Sequence, residues 1–516
     1  MAAGIKIPLF GQASIMVKQC LGSYTKGRCL VSNEVEAGGR LKATIRETEM
    51  RGMENMTMKI PASILTAVAV MLTTGSALAA AEEAGLPPAL KDFVTAKARQ
   101  VRRTAERLSL EVSPEVDDYL KAAQSGDWRL ALGMYGVVRS SWLNLDDPDQ
   151  RSLEAVASAC LLEIQLGFEQ IMEDDTDQEL ALKLGNAMVA SVSRGAIYFG
   201  GTDAGRGLVT ALSKSHENGD PFFTVTQNAL ADGRYLRYLR EMYGRTNYMP
   251  SEADSTKAFQ EYLSDAQRRL DHDQKFPSES RQIKPGEDVR ISKGKVQVSG
   301  QVAVMSINAI LARIIFEQNP DREFFVEESF PLDWMYPHLA PQGMLLRLHR
   351  KPVVEITAAD VAKDMEYWSR QQQPLIGDWL KPETSIEEIC QYVRKRHVNH
   401  NMAGFEGNAK FLQSEKVRKT WAKLRSAIGG IYAWRAGQAS DPKVKERMTR
   451  AAENAFKQAF AFGPDSAEPV LRYVNLLVGA KRKADAVKIA ELAADLESGD
   501  GSIANLLTTL QKMKLD

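Results

Sequence analysis

The sequence has only four cysteines among 516 residues, and neither charge sign is in excess, with 66 basic and 66 acidic residues. So few cysteines exclude a disulfide framework or a cysteine-rich metal site. The balanced charge gives no overall attraction for a polyanion, so we expect no nucleic-acid partner. The 44% hydrophobic and 26% charged residues are typical of folded globular proteins. At roughly 100 to 200 residues per domain, the length allows two to four domains.

Signatures of common enzymes are also missing from the sequence. It contains no Gly-x-Ser-x-Gly elbow and no P-loop Gly-Lys-Ser/Thr, and neither Cys160 nor Cys390 has the neighbours of a catalytic thiol. His397 and His400 do not have the spacing of a zinc site, and we interpret the run RKRHVNH (394–400) as a solvated basic helix end. We therefore name no catalytic residue, no metal site and no cofactor, and whether the chain is an enzyme stays open.

Residues 58–79 are predicted to be a signal peptide. Lys59 precedes the short apolar run ILTAVAVML (64–72), and the small residues Ala77 and Ala79 lie at the positions that a signal peptidase reads. The run is much shorter than the roughly 20 residues of a membrane-spanning helix. We predict cleavage after Ala79, a periplasmic or secreted mature chain, and no stable transmembrane span after cleavage. An uncleaved anchor over 60–81 is the alternative.

Residues 1–57 show no clear periodic pattern, and methionines recur near their end, at Met50, Met53, Met56 and Met58. We interpret this segment as the result of a start codon assigned too far upstream, or as an unstructured region. Cys160 and Cys390 then remain in the mature chain. We expect two separate buried thiols, although an oxidising compartment would permit one disulfide.

Helical periodicity dominates 80–190 and 356–516, where apolar residues recur every three or four positions. Within 424–516, small and bulky residues have the spacing of tetratricopeptide repeats, in which a small residue lets two helices approach. The key positions recur 34 residues apart: Ala452, Phe456 and Ala459, then Ala486, Ala490 and Ala493. We predict two such units and a closing helix at 503–512, with an irregular helical bundle as the alternative.

The middle region, 191–355, has a different pattern. Short β-prone runs at 196–201, 222–227, 324–329 and 344–349 are separated by helical patterns. Strand and helix in alternation predict a mainly parallel sheet, because parallel neighbours need a crossover connection. The fold class expected is thus α/β plus all-α: a central Rossmann-like sheet flanked by helical regions. The runs at 289–291 and 295–300 predict an added hairpin.

A glycine-rich turn, GGTDAGRG (200–207), follows the first β-prone run and opens a helix. Glycines permit close backbone approach, and a helix N-terminus offers N–H groups to an anion, so a phosphate could bind here. The spacing differs from the dinucleotide fingerprint. The alternative is a tight turn with Asp203 as a helix cap and Arg206 in an ion pair. The candidate ligand-binding residues of this turn are Gly201, Thr202, Asp203, Gly205 and Arg206.

Polar residues also follow the other runs: Asn228, Asp232, Glu327 and Glu328. Ligands of open α/β sheets bind at the carboxyl ends of the strands, so these residues are candidates for binding a sugar, a peptide or a cation. Helix caps are the alternative, which we favour for Asn228.

The aromatic residues of 329–343 are the last candidates. Trp334 and Tyr336, with Phe330 and His338, lie between prolines and could form a stacking platform for a sugar ring or a proline-rich peptide. The alternative, which we favour, is a plug at a seam between domains.

Four strings together resemble a known family: AIYFGGTDAGRGL, TVTQNALADGRYLRYLREMYG, FFVEESFPLDWMYPHLAPQGMLLRL and KLRSAIGGIYAWR. They are similar, over roughly 190–480, to the soluble C-terminal region of bacterial membrane proteins related to protein O-mannosyltransferases. That family joins a multi-spanning glycosyltransferase-like half to an extracytoplasmic α/β segment and tetratricopeptide repeats. This sequence shows no multi-spanning half. The resemblance therefore implies an exported accessory domain that does not transfer a sugar alone.

The function expected from the sequence is an exported, non-enzymatic binding or scaffold protein that recognises an envelope partner protein, a peptide or a glycan. One alternative is a glycosyltransferase-associated or nucleotide-sugar-binding enzyme that uses the turn at 200–207. A second is a structural envelope component that assembles with itself.

Overall fold

The computed structural model describes residues 31–35, 41–45, 85–140, 147–173, 177–200, 204–213, 219–292, 295–327, 332–496 and 501–513. The predicted signal peptide at 58–79 and the candidates Gly201, Thr202, Asp203 and Glu328 lie outside these residues. For Gly205 and Arg206 only the helical backbone is described. The described chain is mostly helical, with one five-stranded sheet and two separate hairpins.

The N-terminal region consists of a hairpin followed by helices. In chain order its elements are β1 (Val31–Val35), β2 (Leu41–Ile45), α1 (Pro88–Leu108), α2 (Pro114–Ser125), α3 (Trp128–Ser140), α4 (Pro148–Ile171) and α5 (Gln178–Val189). Proline begins three of these helices, where its missing N–H would have had no helical partner. Most of the described residues between Pro88 and Val189 are helical, within the range 80–190 for which the sequence predicted helices.

The middle region alternates strands and helices. Its elements are β3 (Ile197–Gly200), α6 (Ala204–Leu212), β4 (Phe223–Thr226), α7 (Gly233–Tyr243), α8 (Glu252–Lys275), β5 (Asp288–Ser292), β6 (Lys295–Ser299), α9 (Gln301–Gln318), β7 (Phe324–Val326), β8 (Leu339–Gln342) and β9 (Leu345–Leu348). β5 and β6 form the predicted antiparallel hairpin, which packs on α8 and α9.

The five-stranded sheet has the order β4-β3-β7-β9-β8. β4, β3 and β7 are parallel, whereas β9 and β8 are antiparallel additions. A mainly parallel, Rossmann-like sheet is therefore not confirmed; the sheet is small and mixed. The physical reason is the tight connection between β8 and β9 through Gly343, whose φ of 61° suits a turn. A connection this short can join only antiparallel strands.

The C-terminal region is helical throughout. Its elements are α10 (Ala358–Ile376), α11 (Ile386–Val393), a π-helical turn (Arg394–Val398), α12 (Ala409–Gln413), α13 (Glu415–Gln438), α14 (Pro442–Phe462), α15 (Ala467–Gly479), α16 (Lys483–Ala494) and α17 (Ser502–Lys512). Gly429 on α13 lets α14 approach, since a Cβ there would lie 2.7 Å from the Phe456 ring. The six key positions predicted on α14 and α16 are all buried.

A buried polar network joins three helices of this region. Arg425 on α13 is fully buried and donates to Asp364 on α10 (2.8 Å) and to Gln458 on α14 (2.7 Å). Gln458 in turn donates to Gln372 on α10 (3.0 Å). A buried charge is stable only when it is paired and hydrogen-bonded, so this network fixes how α10, α13 and α14 pack.

The interpretation of 394–400 as a solvated basic end is wrong for two of its residues. Arg396 and His397 are buried, at 7% and 8% exposure. The chain forms a π-helical turn here, which adds a residue to the turn and changes the direction of the side chains that follow. Arg396 donates to the carbonyl oxygen of Ala403 (3.1 Å) and lies over the ring of Phe405.

His397 makes stability depend on pH. Burial lowers its pKa to about 4, whereas the unfolded chain titrates near 6.5. Between those values the unfolded state binds a proton that the folded state does not. The free energy of unfolding should therefore fall as the pH drops from about 6.5 to about 4, by up to about 3 kcal/mol from this residue. His397→Gln should remove that part of the pH dependence, measured by urea unfolding.

The exposed neighbour Asn399 offers the matched control, since Asn399→Gln changes no titratable group and should keep the wild-type pH dependence. Equal slopes for wild type and His397→Gln would contradict the buried, neutral state of this imidazole.

Candidate functional site

The carboxyl ends of the three parallel strands meet at one edge of the sheet. Gly200 is paired with Thr226, and the N–H of Glu327 donates to the carbonyl oxygen of Phe199 (3.0 Å), one residue beyond β7. Thr226, Gly200 and Glu327 therefore form the last row across three strands. The crossover from β3 runs through α6 to β4 on one side, while β7 lies on the other side. In α/β sheets, ligands bind at the point where the connections from neighbouring strands lead to opposite sides of the sheet, as they do at β3.

Glu327 places a buried carboxylate in this row. Its side chain is 2% exposed, and its Oε2 accepts a hydrogen bond from the Tyr198 hydroxyl (3.2 Å). Tyr198 precedes Gly200 by two residues, so both lie on the same face of the sheet. A carboxylate this deeply buried is expensive unless several groups donate to it. Glu327 is one of the candidate ligand-binding residues named from the sequence.

Thr226 and Gln227 are polar groups that the sequence analysis missed. Both side chains are 0% exposed. Among the described residues, the Thr226 hydroxyl and both atoms of the Gln227 amide have no hydrogen-bond partner. A buried polar group without a partner costs about 1–3 kcal/mol, and native structures tolerate few of them. The signal was available in the sequence, because the polar pair Thr-Gln ends the apolar run FFTV.

The turn after β4 is held rigidly. Asn308 on α9, which the sequence analysis also missed, is 0% exposed and donates from Nδ2 to the carbonyl oxygen of Asn228 (2.9 Å). Its Oδ1 accepts from the N–H of Ala231 (2.6 Å). The N–H of Thr226 donates to the Tyr235 hydroxyl on α7 (2.7 Å). These bonds fix the backbone that carries Gln227.

Asp232 acts as the N-cap of α7. Its side chain accepts from the N–H of Arg234 (2.8 Å) and is half exposed. This is the alternative role that we considered for the polar residues after the strands, and it places Asp232 outside the buried row.

The described part of the glycine-rich turn has a packing role. A Cβ at Gly207 would lie 2.8 Å from Cβ of Leu166, so glycine is required for α6 to approach α4. Gly207 therefore allows the two helices to pack closely, and this role does not require a bound phosphate.

Trp334 and Tyr336 lie in a short 3-10 helix, Asp333–His338, at the seam between the sheet and α13. The Trp334 indole donates to the carbonyl oxygen of Ala309 (3.2 Å), and the Tyr336 ring packs on Trp434 of α13 at 5.5 Å between centroids. Arg435 donates to the carbonyl oxygen of Pro337 (2.9 Å) across the same seam. This location corresponds to the plug that we favoured over a stacking platform.

A deeper ionic cluster joins three helices behind the sheet. Lys97 on α1 contacts Glu163 on α4 (2.5 Å), and Tyr238 on α7 donates to Glu163 (2.9 Å). All three side chains are buried, and burial raises the pKa of Tyr238 well above its usual range. The buried charges of Lys97 and Glu163 are thus paired with each other, and Tyr238 donates a further hydrogen bond, which suits a structural role.

The two thiols are free and buried, as predicted. Burial raises the pKa of Cys390 to about 11, so its thiol stays protonated at neutral pH and is a poor nucleophile. Within the described ranges, no cluster of three or more His, Cys, Asp or Glu side chains is placed to hold a metal ion. Among the described helices, none has the length and apolar character needed to cross a membrane.

Comparisons with protein-family models, with curated proteins and with solved structures found no match to this chain. The resemblance to the region associated with O-mannosyltransferases therefore stays a prediction, and function has to be argued from the residues.

The two buried glutamines Gln227 and Gln372 provide a test of whether the amide of Gln227 lacks a hydrogen-bond partner. Gln372 is also 0% exposed, but it donates to the carbonyl oxygens of Gly377 and Leu380 (both 3.2 Å). Gln372→Leu should lower the free energy of unfolding by about 1–3 kcal/mol, because it leaves those carbonyl groups without a donor. Gln227→Leu should lower it by less than about 1 kcal/mol or raise it, because no described partner is lost. Urea unfolding of both variants measures this. Equal destabilisation would show that the Gln227 amide is already satisfied.

Proposed function

We propose that this chain is an exported, non-enzymatic binding protein whose C-terminal helices form a tetratricopeptide-like scaffold for an envelope partner. The observation that carries the proposal is the burial of equivalent positions 34 residues apart on α14 and α16: Ala452 and Ala486, Phe456 and Ala490, Ala459 and Ala493. In repeat proteins such positions bring consecutive helices together, and the stacked repeats present an extended binding surface.

The packing of the helices supports a stacked arrangement. α13, α14, α15 and α16 each pack on the next helix in the chain. α13 also contacts β8 and β9, which joins the helices to the sheet. α11 packs on both α14 and α16, whereas α17, the last helix of the array, presents exposed residues such as Asn505 to a partner.

The nucleotide-sugar alternative has less support. β3 leads directly into the turn at 200–207, and the last row of the sheet carries the buried carboxylate of Glu327. A carboxylate next to a phosphate is unfavourable because the two charges repel each other.

Site-specific photocrosslinking in the bacterial envelope tests the scaffold. A photoreactive amino acid in place of the exposed Asn505 on α17 should give one discrete adduct with a second protein. The same substitution at Arg268, which is exposed on α8, should give none. An adduct between two copies of the chain would favour the self-assembly alternative. No adduct from any exposed position on α15 or α17 would contradict the proposal.

Export is tested separately by N-terminal sequencing. The full chain carrying a C-terminal tag should be recovered from the periplasm beginning at Ala80. Ala79→Leu should block processing, because the peptidase accepts only a small side chain there, while Ala84→Leu should be processed normally. Intact chain in the cytoplasm would exclude an envelope function.

A further inference from the structure

We propose that strand β5 (Asp288–Ser292) pairs edge to edge with β5 of a second copy of this chain and so forms a symmetric dimer. The two strands are antiparallel, with Asp288 of each copy opposite Arg290 of the other. This surface shares no residue with the C-terminal helices on which the proposed function rests, so either proposal can fail without the other.

The hairpin of β5 and β6 has edges that can take a further strand. It is a two-stranded sheet, and no third strand joins it among the described residues. The backbone N–H and C=O groups along such an edge are ready to pair with another chain. The hairpin covers a small core on α8 and α9, whose buried members are Tyr262, Ala266 and Ala303. Two strands alone are marginally stable, so an added strand stabilises the hairpin.

The outer edge of β5 is the more accessible of the two edges. Three of its five residues are exposed: Asp288, Arg290 and Ile291. The Ile291 side chain is 51% exposed, although it is apolar. By contrast, β6 leads through Gly300 directly into α9, which packs against it. A second copy therefore has freer access to β5.

The solvent-facing side of β5 carries one charge of each sign. Side chains alternate between the two faces of a strand, and Val289 packs on the core, so Asp288 and Arg290 share the opposite face. Their cross-strand neighbours in the hairpin are the neutral Ser299 and Gln297. The hairpin itself thus supplies no opposite charge to either residue.

These charges select the register of self-pairing. Antiparallel pairing centred on Arg290 would place two arginines opposite each other, which is destabilising. Pairing centred on Val289 places Asp288 of each copy opposite Arg290 of the other, so one two-fold axis generates two favourable ion pairs. A shift by one residue would oppose a polar face to an apolar one. The register centred on Val289 is therefore the self-complementary one.

The dimer leaves Arg268 on α8 in solvent. Ala266 is buried under the hairpin, and two positions along a helix correspond to about 200° around its axis. Arg268 therefore lies on the far side of α8 from the hairpin and remains a valid control for the crosslinking of α17.

Charge-exchange variants of the full chain test the dimer. In sedimentation velocity over a concentration series, the wild type should show a monomer–dimer equilibrium. Asp288→Lys and Arg290→Glu each turn two attractive pairs into two repulsive ones, so each should raise the dimer Kd by roughly tenfold or more. An equimolar mixture of the two variants should recover the dimer, because every pair then joins opposite charges again.

Both changes are at exposed positions, and circular dichroism should show the wild-type fold for each variant. Gln373→Lys, which adds a positive charge at an exposed position on α10, should leave the dimer Kd unchanged. The proposal is wrong if the wild type is a monomer at every concentration, if both folded variants dimerise as tightly as the wild type, or if their mixture stays monomeric.

Discussion

Buried polar groups need partners, and this requirement shapes both halves of the molecule. In the C-terminal half the fully buried Arg425 is held by Asp364 and Gln458, while its Nη2 and the Oδ1 of Asp364 have no partner among the described residues. At the carboxyl edge of the sheet the requirement is not met by the described residues, since Gln227 is equally buried but has no partner. Arg425 therefore links three helices through its hydrogen bonds, whereas the burial of the Gln227 amide is not compensated by any described residue.

The topology of the sheet brings these groups together. β3 lies between β4 and β7, and both are parallel to it, so the carboxyl ends of three strands meet at one edge. If β4 and β7 ran in opposite directions, Thr226 and Glu327 would lie at opposite edges of the sheet. The antiparallel strands β9 and β8 extend the sheet beyond β7 and contact α13, which connects the sheet to the helical array.

The sequence predicted the local elements better than their assembly. The β-prone runs and helical patterns follow from side-chain periodicity, and Glu327 became a candidate because it follows one of these runs. The antiparallel end of the sheet was not predicted, because it depends on the tight turn at Gly343. The burial of His397 depends on a π-helical turn, and the unsatisfied state of Gln227 depends on its neighbours in space, neither of which a periodic pattern reports.

The most direct test of the polar row is an NMR spectrum of the chain labelled with ¹⁵N in its glutamine side chains. The amide protons of Gln227, identified by their loss in Gln227→Leu, should resonate upfield of those of Gln372, because the Gln372 amide donates to two carbonyl oxygens and the Gln227 amide has no described partner. A Gln227 signal shifted as far downfield as that of Gln372 would show that its amide is hydrogen-bonded and would contradict the account.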